Sequence, residues 1–161
     1  TTMTAGLQFP LGPLGSSGFP LLSALAVVPG DNDSVAVVPS TNGGVGIYTR
    51  GTLRPTTAVG VYLPSQIAFS ASGLRLYGYY HRSATAYDYD YLYRMDVTPA
   101  GVTVKDTTSG LVGYSHSTRM QLDGGRIYSD SGEVVDPETL TRLACKMLKA
   151  VSVISLKGIS P

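Results

Sequence analysis

The stretch IAFSASGLRLYGY, residues 67–79, decides how this chain folds. It opens on an apolar strand, turns tightly around Ser72 and Gly73, and returns on a second strand. Two other stretches repeat the form: LAVVPGDNDSVAV at 25–37 and MQLDGGRIYSD at 120–130. Phe69 follows Val28 by 41 positions, and Leu122 follows Phe69 by 53. The longer interval contains an additional segment, 80–90, so a basic period near 41 fits both. What comes next also corresponds. GGVGIYTRGTLRP (43–55), YLYRMDVTPAGVTVKD (91–106) and GEVVDPETLTRLA (132–144) each read strand, turn, strand.

A repeating unit of about forty residues with four antiparallel strands is the pattern of a β-propeller blade. The expectation is an all-β chain of about three blades, with an ordinary β-sandwich of accidental self-similarity as the alternative. Residues 1–18 read as an irregular arm or a leftover strand. Residues 19–63 form the first blade, 64–114 the second and 115–144 the third, with 145–161 an atypical strand or tail. The first strand of each unit is expected to be the apolar one, faced by blades on both sides, through Ile67, Phe69, Met120 and Leu122. Only 137–148 has the composition of a helix, with Asp136 and Pro137 as cap and first turn. The repeat argues for a hairpin there instead.

Composition narrows the function. Twelve basic against eleven acidic residues give a net charge of +1, which offers no electrostatic case for nucleic acid or an anionic membrane. No run approaches 18 apolar residues, so a spanning helix is excluded. A single Cys, Cys145, makes no internal disulfide and reads as an inert thiol. No basic segment precedes an apolar run at the start of the chain, so no signal peptide is expected in it.

IAFSASGLRLYGY resembles the F-S-x-x-G-x-x-L-Y hairpin of bacterial propellers of the YVTN/lactonase-like repeat type. VVDPETLTRLA resembles the V-x-D-x-x-T outer hairpin of the same repeats, with Asp136 and Thr139 in the matching places. The likeness covers about residues 20–144 and extends to uncharacterised secreted bacterial propellers. It implies a secreted or cell-surface setting, and sites concentrated on one face around the propeller axis.

Propellers close with four to eight blades. Three blades leave two sheet faces uncovered, and a two-fold homodimer would complete a six-bladed ring. A truncated fragment of a longer propeller, with no function of its own, is the other reading of the same count. A charged fraction of only 14% suits a surface that is covered by a partner.

The strand assignment puts loops 40–44, 64–66, 80–90, 114–117 and 129–131 on the site-bearing face. Both histidines, His81 and His116, fall among them. Together with Asp88 and Asp90 they could hold a divalent metal such as zinc or calcium, whose bound water would attack an activated ester or phosphoester. In that reading His81 and His116 are the catalytic residues of an esterase, phosphotriesterase or lactonase-like hydrolase. In the competing reading Tyr80, Arg82, Tyr87, Tyr89 and Tyr114 form a recognition surface for a small molecule or protein. The chain is then a self-associating scaffold with no catalytic task. Ser115, His116 and Ser117 lack the elbow of a serine hydrolase.

Overall fold

A computed structural model describes residues 22–40, 44–59, 62, 64–83, 88–112 and 119–145, with the backbone alone at 82, 83, 88, 89 and 145. Among these residues every regular element is a strand, and none is a helix that could cross a membrane. The first sheet holds β1 (Leu22–Val27), β2 (Ser34–Pro39), β3 (Gly46–Thr49) and β4 (Thr52–Leu53). The second holds β5 (Gln66–Phe69), β6 (Arg75–Ser83), β7 (Asp88–Thr98) and β8 (Gly101–Thr108). The third holds β9 (Met120–Asp123), β10 (Arg126–Ser129), β11 (Glu133–Asp136) and β12 (Thr141–Cys145). In each sheet the four strands lie side by side in chain order and pair antiparallel, as the repeat predicts.

Local chemistry sets the turns. Between β9 and β10, Gly124 and Gly125 sit at φ 53° and 74°, which a two-residue hairpin loop of the primed type requires. Asp31 accepts the Asp33 amide at 3.0 Å and closes the turn after β1. Asp136, which reads as a helix cap, does accept the amides of Glu138 (2.8 Å) and Thr139 (3.1 Å). The chain then reverses at Leu140, whose φ is 53°, and enters β12 in place of a helix.

The second sheet is the central layer. One face carries Leu76, Tyr93, Met95, Val97 and Val102 against Val28, Ala36, Val38, Val45, Ile47 and Ala58 of the first sheet and its flanking segments. Its other face carries Tyr77, Tyr79 and Leu92 against Ile127 and Val135 of the third. Burial on both faces explains why Leu76 to Tyr79 is buried without a break, where a one-sided strand would alternate. The sheets meet through their first strands, β1 against β5 and β5 against β9. Met120 at the start of β9 donates its amide to Gln66 Oε1 of β5 at 2.7 Å.

Those first strands are less buried than the sequence suggested. Ile67, Phe69, Met120 and Leu122 are half-buried, whereas β2, β3, β6 and β7 carry the deepest residues. The reason is positional. A first strand has a hydrogen-bonded neighbour on one edge only, while the second and third are flanked on both edges, and β6 and β7 are in addition packed between two sheets.

Both junctions also use the turn between a sheet's third and fourth strands. Gly101, after the β7–β8 turn, forms a parallel bridge with Thr56, whose amide donates to Ala100 O at 2.8 Å. Arg54 Nη1 adds a bond to Thr98 O at 3.0 Å. At the next junction the β11–β12 turn brings Glu138 to Tyr77, Arg75 and Arg94 of the second sheet.

Candidate functional site

One end of the sheets gathers most of the polar candidates. β5 and β9 begin there, β6 and β7 run to their hairpin tip, and β10 turns into β11. β6 and β7 are much longer than β10 and β11, and their ladder stays in register out to Ser83 opposite Asp88. Alternation along this ladder sorts its side chains onto two faces.

The face toward the first sheet carries tyrosines. Tyr80 and Tyr91 are cross-strand partners, and Tyr62 stacks on both at 5.1 Å between ring centroids. Tyr93 lies 6.3 Å from Tyr91, and its hydroxyl is pushed up to about 12, chiefly by burial. Tyr80 thus packs into an aromatic stack against the core. It is a wall of the hairpin as much as a contact surface.

The opposite face carries His81 directly across from Asp90. Asp90 is 3% exposed. Its Oδ1 accepts the Gly110 amide at 3.0 Å, and its Oδ2 lies 3.4 Å from the Val112 amide. Arg142 of β12 holds the same loop by its carbonyls, donating to Leu111 O at 3.0 Å and Gly110 O at 2.6 Å. A carboxylate on the amides and a guanidinium on the carbonyls clamp the connection between the second and third sheets. Asp90 therefore sits in a structural clamp, with both oxygens engaged.

His116, Tyr87 and Tyr114 lie outside the described residues, and the side chains of Arg82, Asp88 and Tyr89 are likewise outside them. The structure brings together His81 and Asp90 of the proposed metal set. Among the described residues no three His, Cys, Asp or Glu side chains converge on one point.

An open cleft of about 520 Å³ lies at this end, lined by Gln66, Arg119, Met120, Gln121, Tyr128, Ser129 and Asp130. Asp130 Oδ1 accepts the Arg119 amide at 2.9 Å, which fixes the mouth. Ser129 and Ser131 both donate to Glu133 Oε2, at 2.5 and 2.6 Å, so the buried carboxylate organises the β10–β11 turn. The lining offers an amide, a guanidinium, a carboxylate, a hydroxyl and an aromatic ring. Such a set suits reversible hydrogen bonding and stacking. Gln66, Ser129 and Asp130 come from loops that the repeat assigned to this face. Arg119, just before β9, and the strand residues Gln121 and Tyr128 were missed, because residues at a sheet's open side carry no spacing signal of their own.

The chain matches no family model, and no curated protein matches it.

Proposed function

We propose that this chain is part of a β-propeller of the YVTN/lactonase-like repeat type and works as a binding scaffold, with the hairpin end as its recognition face. The observation that carries the reading is the open cleft beside the long tyrosine-rich hairpin, where hydrogen-bonding groups converge on a concave surface. Contact of successive sheets through their first strands supports the propeller type. Exposed apolar side chains on the outer side of β1 support association: Leu25 and Val27 are 60% and 58% exposed.

The test sets this reading against a metal-assisted hydrolase. The full chain is assayed on activated esters and phosphotriesters, before and after dialysis against a chelator and readdition of zinc or calcium. The scaffold reading expects no turnover above the uncatalysed rate. Turnover that is lost on chelation, restored by metal and abolished by His81→Ala would overturn it and establish the hydrolase.

A further inference from the structure

The second and third sheets carry the same Arg-apolar-Tyr pattern at the same place. Arg75-Leu76-Tyr77 on β6 corresponds to Arg126-Ile127-Tyr128 on β10. In both, the central apolar residue is fully buried toward the preceding sheet, so the Arg and Tyr that flank it lie on the opposite face. The acidic neighbour is repeated as well. Arg75 pairs with Asp96 across the β6–β7 ladder, and Asp136, on the strand beside β10, feels the favourable charge of Arg126.

On the second sheet this pair has a task. Tyr77 donates to Glu138 Oε1 at 2.5 Å, and Arg75 Nε lies 3.5 Å from the same oxygen. Glu138 is delivered by the third sheet's β11–β12 turn. At the first junction an arginine also reaches the following sheet's third turn: Arg54, just after β4, donates to the backbone carbonyl of Thr98 at the end of β7 at 3.0 Å. On the third sheet Arg126 is exposed and Tyr128 is 40% exposed.

We propose that the outer face of the third sheet is a docking surface for a further four-stranded sheet of the same repeat whose third turn carries a carboxylate, with Arg126 and Tyr128 receiving it as Arg75 and Tyr77 receive Glu138. The inference rests on the scaffold reading above and names the partner's chemistry. Continuity with an existing junction and charge complementarity select this occupant. A second copy of the chain, the ring partner expected from the sequence, fits less well. Its first sheet would present Arg50 at the corresponding turn, a side chain 77% exposed and paired at 2.8 Å with Asp33. Arg50 would then face Arg126 with like charge.

The experiment lengthens the full chain by a duplicate of residues 109–145 inserted after Cys145, so that a second Glu138 turn can reach Arg126 and Tyr128. The extended protein is expected to unfold in urea in one transition, with a larger m-value and a higher midpoint than the parent. Arg126→Ala should lower the extended protein's folding constant about tenfold and leave the parent unchanged. Glu→Gln at the duplicated Glu138 should have the same effect, and the two changes together should cost no more than one. An added unit that stays unfolded, a separate second transition, or equal effects of Arg126→Ala in both proteins would overturn the proposal. A second measurement covers the other occupant. Wild-type dimers in sedimentation equilibrium that Arg126→Glu dissociates and Arg50→Glu fails to strengthen would assign the face to a second copy, overturning the proposal. Arg50→Glu is expected instead to create association that Arg126→Glu reverses. If docking fails while no metal-dependent turnover is found, the acidic-turn inference falls and the scaffold reading stands.

Discussion

The Tyr77 hydroxyl donates to Glu138 across 61 positions of sequence, joining the second sheet to the outer turn of the third. Tyr77 is buried, whereas the Glu138 side chain is 48% exposed. Removing the hydroxyl leaves a carboxylate that water can reach. Tyr77→Phe should therefore cost about 1 kcal/mol, while Tyr77→Ala, which empties the junction, should cost about 3–5 kcal/mol. Urea midpoints of the two variants decide the matter: a Tyr77→Phe midpoint equal to that of wild type would mean that the bond itself contributes nothing.

Glu138 also gives the junction an acid limit. The Tyr77 hydroxyl holds its carboxyl below the usual range, burial opposes this, and Arg75 and Arg94 reinforce it. A folded-state value below the unfolded one, about 4.3, means the contribution is complete above that pH and is lost as pH falls through the folded value. Glu138→Gln should consequently be less stable than wild type near neutrality, with the gap closing in acid. A urea series from about pH 2 to 7 reads this directly, and a gap constant over that range would refute it. Asp31 and Asp136 are lowered too, by the Ser34 hydroxyl and the Thr139 amide first, so the variant keeps part of its acid sensitivity.

Two glycine replacements should separate close approach from turn conformation. A Cβ on Gly101, at φ 137°, would lie 1.9 Å from the Thr56 carbonyl oxygen. Gly101→Ala has to break the bridge between the first two sheets and should cost about 3 kcal/mol or more. Gly124 has a positive φ as well, but open space around it. Gly124→Ala should cost only about 1–2 kcal/mol. Calorimetric midpoints in the reverse order would contradict the geometry.

The loop between the second and third sheets should open when its clamp is cut. Asp90→Ala removes the acceptor for the Gly110 and Val112 amides, whose hydrogen exchange is expected to quicken about tenfold or more. Arg142→Ala releases the carbonyl side of the same loop and should act on the same two amides. Unchanged exchange in both variants would show that the loop is held by packing alone.

The fold was legible because its signals are local. Paired glycines at 124–125, a turn at 70–74 and β-branched runs such as 35–38 each fix a hairpin within a dozen residues. Alternation then sorts Leu76 from Tyr77 and Ile127 from Tyr128. The uses of individual polar residues were less visible, since they depend on partners brought close only by stacking. Asp90 reads as a metal ligand from its neighbours in sequence, yet its contacts lie 20 and 22 positions away. Glu138 lies in the hairpin that the repeat predicts at 132–144, and its partner Tyr77 belongs to another sheet. The recurrence of Arg-x-Tyr at 75–77 and 126–128 was the available clue, and it matters only once the two faces of each strand are known.

Among the described residues the extensive contacts between sheets run through the middle one: β1 touches β5, β3 touches β8, and β5 touches β9. Stability in such a row behaves like a one-dimensional chain with two couplings. Either terminal sheet can fray while the remaining pair stays closed, at the loss of a single coupling. Opening the middle sheet severs both at once. The native ensemble should accordingly hold partly opened forms of two kinds, frayed at one end or at the other, with β6 and β7 the last segments to exchange.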